Sequence, residues 1–370
     1  MKKPRFKLAF IAPGSIGHTI KWVNGLADRG LDVTLITQHK VTANIHHEIK
    51  VIYLPFSGGK GYILNALALN KVIKTLSPDV VNVHYASGYG TLAMCAGIKP
   101  YVLSVWGSDV YEFPYQSKFK YWLINKSLLN AKHIASTSYA MAKQVKTILD
   151  DPKVDITITP FGVNLSKFVK TKAPFSQNSI TIGIVKKLER KYGIDLLIKG
   201  FALAQEQLKL QKEYSECELK LVIVGDGSLE NELKELAVEN KIFAQTNFVG
   251  LVENNQVVNY INEMDIFVVP SRIESFGVSA IEALGCERPC IVANTGGLPE
   301  VIDNGKTGRV VEAESAKAIA NAIVYFINNK SEVINMGRNG RKSMMEKYTE
   351  SAALDAMVNL YHQFDKKNAH

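Results

Sequence analysis

A chain of 370 residues, 46% hydrophobic and 21% charged, has room for two α/β domains and the composition of an ordinary globular protein. Its four cysteines, Cys95, Cys217, Cys286 and Cys290, lack the paired spacing of a zinc site, which argues against a structural metal or redox centre and fits a reducing compartment. The net charge of +9 is uneven: residues 1–172 hold 22 Lys and Arg against 9 Asp and Glu, the remainder 22 against 26. The amino-terminal half therefore either displays scattered solvated lysines or meets an anionic surface or acceptor.

The first apolar run, within residues 7–12, is short and is broken by Pro13-Gly14, so it reads as a buried strand and not as a leader. No run approaches the ~18 residues needed to span a bilayer. A helix over 17–29 and strands over 32–37 and 49–54 follow. Next come a helix over 63–76, a strand over 80–84, a helix over 92–96, and strands over 101–106 and 133–136. Strands separated by helix-period segments predict a parallel, Rossmann-like sheet. Pro13-Gly14-Ser15-Ile16-Gly17 is a glycine-containing first loop without the full spacing of a dinucleotide site. The second strand ends in Thr37-Gln38-His39, lacking the ribose-binding acid a dehydrogenase needs. His84 closes a strand and is an acceptor-side candidate; His18 either caps or lines the first helix. Lys118, Lys120, Lys126, Lys132, Lys143 and Lys146 accompany Tyr115, Phe119, Tyr121 and Trp122 on predicted helices, a mixture suited to anionic lipid. No nucleic-acid-binding module accompanies that charge.

Residues 171–178 are polar, contain Pro174 and read as a linker. A second alternation then runs through strands at 179–185, 219–224, 247–249, 266–269, 290–293 and 308–311. Helices over 316–328 and 331–347 follow, and an amphipathic helix over 350–364 ends the chain. The run from Ser271 to Gly285 stands out. It sets Glu274 and Glu282 eight residues apart, with Phe276-Gly277 between them, where a strand and loop give way to a helix. Phe276, Gly277 and Val278 fall at that helix N-terminus, where unpaired N–H groups and the positive dipole end favour an anion. An anion flanked by two hydroxyl-accepting carboxylates describes a nucleotide-sugar. Cations for a departing diphosphate are offered by Lys186, Lys187 and Lys191. Asp226 stands alone between Gly225 and Gly227, and no Asp-x-Asp metal motif is convincing.

This set resembles the Glu-x7-Glu motif of the retaining GT-B glycosyltransferases of family 4 (glycosyl transferases group 1). Val224-Gly225-Asp226-Gly227, Phe248-Val249-Gly250, Gly296-Gly297-Leu298-Pro299-Glu300 and Gly305-Lys306-Thr307-Gly308 follow in the order that family uses. The resemblance implies two Rossmann-like domains facing across a cleft. These are an acceptor-binding domain over 1–172, joined by a returning helix at 350–370, and a nucleotide-sugar-binding domain over 173–349. It implies that Glu282 takes the ribose hydroxyls and Glu274 those of the donor sugar. Phe276, Gly277 and Val278 then offer N–H groups to the phosphates, Gly250 and Leu251 edge the base, and Gly14 and Gly17 approach the donor. Lys191 takes one phosphate-binding role; Lys186 and Lys187 compete for the other, with Lys187 preferred. Relatives carry a histidine where Trp106 stands, which moves any acid–base role there towards Asp109, an active-site residue or a loop-stabilising one. Glu300 either belongs to the site or only complements a helix dipole.

The expected activity is transfer of a sugar from a nucleoside-diphosphate sugar to a glycan or polyprenyl-phosphate-linked acceptor in surface polysaccharide or glycolipid synthesis. It is expected to need no metal or other cofactor and to occur in the cytoplasm, peripheral at the inner face of the membrane. Alternatives are a nucleotide-sugar epimerase or hydrolase on the same fold, or a noncatalytic sugar-nucleotide-binding subunit.

Overall fold

A computed structural model describes residues 5–177, 179–211, 214 and 218–364; Cys217 and Asn178 lie outside the described residues. The chain divides into two compact units: one runs to Pro160 and resumes at Ala353, and the other is Phe161–Ala352.

The amino-terminal unit is built on seven strands, β1 (Lys7–Ile11), β2 (Asp32–Thr37), β3 (Lys50–Tyr53), β4 (Val80–His84), β5 (Val102–Val105), β6 (His133–Ser136) and β7 (Ile156–Ile158). They pair in parallel in the order β3-β2-β1-β4-β5-β6-β7. The central strands are buried along their length, as an all-parallel sheet covered on both faces requires. β7 is a short, half-buried edge strand that the sequence reading passed over, although Val154-Asp155-Ile156-Thr157-Ile158 alternates apolar and polar residues. The helix expected over 63–76 is two, Gly58–Leu64 and Ala66–Leu76. The break is at Asn65, whose buried side chain accepts from the Phe56 N–H at 3.0 Å and donates to the Phe56 carbonyl at 2.7 Å.

Right-handed crossovers place helix Gly17–Asp28 on one face of the sheet. On the other, helices Gly58–Leu64 and Ala66–Leu76 pack against Gly88–Cys95, which packs against Lys118–Asn130, which packs against Tyr139–Leu149. The carboxyl-terminal helix Glu350–Gln363 covers the first face. A Cβ on Gly25 would stand 2.5 Å from Cδ1 of Leu354, so the absent side chain is the seat of that leucine. Arg29 Nε donates to Asp355 at 2.8 Å, and the buried Tyr361 hydroxyl donates to Asn82 Oδ1 on β4 at 2.8 Å.

The carboxyl-terminal unit has six strands, β8 (Ser179–Val185), β9 (Glu218–Val224), β10 (Thr246–Gly250), β11 (Ile266–Val269), β12 (Cys290–Ala293) and β13 (Gly308–Val311). They are again parallel, in the order β10-β9-β8-β11-β12-β13. This unit begins at Phe161, earlier than the expected boundary after Lys172. The reason is packing: Phe161 meets Phe276 ring to ring at 6.0 Å, Val163 donates to the Tyr348 carbonyl at 2.8 Å, and Phe168 is buried. The linker-like polar composition begins only after these anchors.

Tyr361→Phe deletes a buried donor and leaves Asn82 Oδ1 under-satisfied, at an expected cost of about 1–3 kcal/mol. Thermal unfolding should show a Tm lower by a few degrees, and an unchanged Tm would mean that this contact does not hold the returning helix.

Candidate functional site

In a parallel sheet the loops at the carboxyl ends diverge where strand order reverses, and a crevice opens between them. In the carboxyl-terminal unit that point lies between β8 and β11. Lys186 is the first residue after β8, and its Nζ lies 2.8 Å from Oε2 of Glu274 in the loop after β11, with both side chains largely shielded from water. The Ser271 hydroxyl donates to the same oxygen at 3.3 Å. Burial opposes the lysine charge, but Glu274, Tyr192 and Glu282 together outweigh it, so the Lys186 pKa stands above its ordinary value. Glu274 holds that ammonium directly, and Glu282 adds only the weakest of these electrostatic pulls.

Four neighbouring features hold Glu274 in place. Arg272, two residues earlier, forms a two-pronged bond to Asp195 at 2.7 and 2.8 Å. It reaches the Arg190 carbonyl at 2.8 Å and Glu314 at 2.9 Å. These contacts hold the Arg272 guanidinium above its usual pKa. Burial pushes the Asp195 carboxyl up, but Arg272 overrides it and the net shift is downward. The Arg272 and Ile273 N–H groups donate to the Lys191 carbonyl at 2.8 and 3.2 Å. Gly193, at φ +67°, admits the Pro270 carbonyl where a Cβ would stand 2.1 Å away. On the other side, a Cβ on Gly296 would fall 1.7 Å from the Glu274 carbonyl, so the Gly296-Gly297 turn after β12 can sit directly on the Glu274 backbone.

Gly277, at φ +111°, opens helix Val278–Gly285, which no side chain caps. The preceding Phe276 is fixed between the Phe161 and Tyr348 rings. The Ser279 hydroxyl in the first turn is buried with no hydrogen-bond partner among the described residues. The Lys186 and Lys191 ammoniums lie 4.9 and 5.3 Å from the centroid of one ring, Tyr192, a residue the sequence did not single out. Lys187 is exposed; Lys186 is the cation brought onto Glu274. At the end of β10, the Gly250 carbonyl accepts from Gly225 N–H at 2.9 Å, and Leu251 beside it is 75% exposed. Glu300 lies in the first turn of the short helix Leu298–Val301.

In the amino-terminal unit the strand order reverses between β1 and β4. Gly14 N–H donates to Thr37 Oγ1 at 3.0 Å, and Gly17 opens its helix with open space where a Cβ would be. Thr37 belongs to a polar cluster missed in the sequence: the Tyr89 hydroxyl lies 3.1 Å from Thr37 Oγ1, 3.0 Å from the Gln38 N–H and 2.7 Å from His39 Nδ1. Burial raises the Tyr89 phenol and lowers the His39 imidazole.

His84 is 0% exposed, unlike an acceptor-lining side chain. It is stacked on Phe10 at 4.0 Å and set against Trp106 at 4.7 Å, and neither ring nitrogen has a hydrogen-bond partner among the described residues. Burial holds it neutral, with a pKa well below the usual value. Trp106 also meets the edges of Tyr85 and His18 at 5.2 and 6.3 Å. Asp109 is buried and accepts from Ala86 at 2.8 Å, Gly107 at 2.8 Å and Trp106 at 3.2 Å, all backbone N–H groups. Burial raises its pKa despite those bonds. That geometry fits the loop-stabilising alternative, since the carboxylate ties the loop after β4 to the loop after β5.

Residues 166–343 match the family model described as glycosyl transferases group 1, and residues 7–138 match that described as glycosyl transferase 4-like. The chain is 24% identical over 375 residues to N-acetyl-α-D-glucosaminyl L-malate synthase of Bacillus anthracis, covering 93% of this chain and 92% of that one. It is 28% identical over 276 residues to the putative teichuronic acid biosynthesis glycosyltransferase TuaC of Bacillus subtilis, covering 70% and 65%. Its fold matches the Anabaena protein HepE, crystallised with UDP, at a TM-score of 0.78, with 15% identity over 97% of this chain and 100% of that one.

Arg272→Met should cost about 1–3 kcal/mol near neutral pH, a range discounted for partial exposure of the pair. Because the folded Asp195 pKa is depressed, the pair contributes above about pH 4 and fades as pH falls through the folded value. The deficit of the variant, read by denaturant unfolding, should therefore shrink on acidification. Equal deficits at pH 7 and pH 3 would remove Asp195 as the source.

Proposed function

The chain belongs to the group 1 glycosyltransferases of GT-B architecture, and from that premise we propose that it transfers a sugar from a nucleoside-diphosphate sugar with retention of anomeric configuration. The acceptor is a glycan or a polyprenyl-phosphate-linked saccharide, in the synthesis of a surface polysaccharide or glycolipid. The observation that carries this reading is the shielded ion pair of Lys186 with Glu274, placed at the strand-order reversal with the helix that starts at Val278 and carries Glu282. Such a group of charges suits a ligand that is anionic at its centre and hydroxylated at both ends.

In this reading the diphosphate takes Lys186 from Glu274 and adds Lys191, while the N–H groups of Phe276, Gly277 and Val278 bind its remaining oxygens. Glu274, released, accepts from hydroxyls of the donor sugar, and Glu282 accepts from the ribose. The backbone at Gly250 and Leu251 meets the edge of the base. The C1–oxygen bond to the diphosphate then breaks, and the acceptor hydroxyl attacks the same face. Its proton passes to the departing phosphate oxygen, so no carboxylate nucleophile is needed. Lys186, Lys191 and the helix N-terminus stabilise the charge on the leaving group, which is why no metal is required in this proposal. The amino-terminal unit supplies acceptor recognition through the Gly14–Gly17 loop, backed by the buried Trp106, whose ring meets that of His18.

UDP found with HepE supports a nucleoside-diphosphate donor, and the name of TuaC supports a cell-envelope polysaccharide as the product class. Glu282→Ala should weaken nucleotide binding by about 1.5–3 kcal/mol, read by calorimetry, and unchanged binding would remove Glu282 from the ribose. A thermal-shift screen of nucleotide-sugars identifies the donor. Product formation should survive EDTA, with the anomeric configuration of the donor retained by NMR; abolition by EDTA or an inverted product would overturn the corresponding part of the mechanism.

A further inference from the structure

We infer that one helical layer of the amino-terminal unit is a docking surface for an anionic lipid bilayer. Four contiguous helical segments form this layer: Gly58–Leu64 with Ala66–Leu76, Gly88–Cys95, Lys118–Asn130 and Tyr139–Leu149, each packed on the next across one face of the sheet. A helix whose outer side faces only water is expected to carry polar residues there. Here Leu67 is 87% exposed, Phe119 67% and Trp122 51%, with Ile63 and Leu64 also more than half exposed. Lys60, Ile63 and Leu64 on the first helix, and Leu67 and Lys71 on the second beyond the Asn65 break, are all exposed. Three apolar residues thus stand between two lysines along this end of the layer. Phe119 and Trp122 stack at 5.9 Å on the helix beyond, flanked by exposed Lys118 and Lys126.

The charge of this layer is single-signed. Residues 49–78 and 113–149, which supply three of its four segments, contain ten lysines and no aspartate or glutamate, and Gly88–Cys95 between them carries no charged residue. The opposite face of the same sheet mixes signs, with Lys21, Asp28, Arg29 and Asp355 on its two helices. Clustered lysines around protruding aliphatic and aromatic side chains complement an anionic headgroup layer over an acyl core. The lysine stems lie along the apolar boundary while the ammoniums stay with the headgroups. Exposed aliphatic residues separate this from a nucleic-acid surface, where stacking on aromatic rings dominates. No described helix is long and apolar enough to cross a membrane, so the attachment is to one leaflet and is reversible. The proposed lipid-linked acceptor gives the attachment its purpose, but vesicle binding is read without turnover, so its failure would leave the transfer reaction standing.

The test is co-sedimentation of the full chain with vesicles of phosphatidylcholine, alone or mixed with phosphatidylglycerol. Binding should require the anionic lipid and fall steeply between 50 and about 500 mM salt, as the Debye length shortens. Trp22 and Trp106 are buried, so a blue shift of tryptophan emission on binding reports Trp122. Replacing Lys60, Lys71 and Lys126 with glutamine should weaken binding about fivefold for each lysine. Leu67→Glu with Phe119→Glu should abolish the emission shift while leaving circular dichroism and nucleotide binding intact. Salt-insensitive binding, equal affinity for neutral vesicles, unaltered binding by both variants, or retention of RNA in place of vesicles would each overturn the assignment.

Discussion

An ammonium and a carboxylate 2.8 Å apart, largely withdrawn from water, organise the carboxyl-terminal unit. Their proximity requires two loops from different strands to end at one place, and the strand-order reversal between β8 and β11 supplies it. The surrounding features follow from keeping that pair in register. Gly193 and Gly296 let backbones approach from either side. Arg272 fastens the loop to the start of helix Ile194–Lys209. Phe276, locked between two rings, sets the direction from which the next helix begins. A buried ion pair is weak evidence for stability in itself; in the proposed reading it places charge where the ligand needs it.

The parallel sheets, most strands, and the strand–loop–helix turn that carries Glu274 and Glu282 were legible because they depend on local signals. Those signals are apolar runs ended by Gly or Pro, and a helix that starts at Gly277. What was not legible depends on partners distant in the chain. Arg272 looks like any loop arginine until Asp195, 77 positions away, is set beside it. Tyr192 gave no sign that two lysines would share its ring. Which of Lys186 and Lys187 meets Glu274 turned on which side chain leaves the strand toward β11, and the doublet alone leaves that open. The unit boundary moved to Phe161 because apolar anchors precede the polar stretch, and composition reads the stretch before the anchors.

The two units differ in how they treat their polar groups. In the carboxyl-terminal unit, charges gather at the crevice. In the amino-terminal unit the corresponding position is aromatic, with Phe10, His84 and Trp106 packed in succession, and the one carboxylate there, Asp109, is spent on backbone N–H groups. His84 shows the hazard of reading chemistry from residue type: a histidine at the end of a central strand suggested recognition, and full burial makes it a neutral packing element. The polar cluster of Thr37, His39 and Tyr89 went unnoticed because its members are ordinary and Tyr89 stands 52 positions beyond Thr37.

The closeness of Lys186 to Glu274 also bears on selectivity among the anions of a cell. A bare cation pair would fill with inorganic phosphate, which is abundant and needs no other partner. With its own carboxylate as counter-ion, the site presents that phosphate with an exchange in which Glu274 is left buried beside Ser271 with no new donor, an expensive outcome. A ligand that brings hydroxyl groups along with its phosphates gives the displaced carboxylate something to accept. In the proposed site, the internal ion pair therefore favours an anion that carries hydroxyl groups over a bare phosphate.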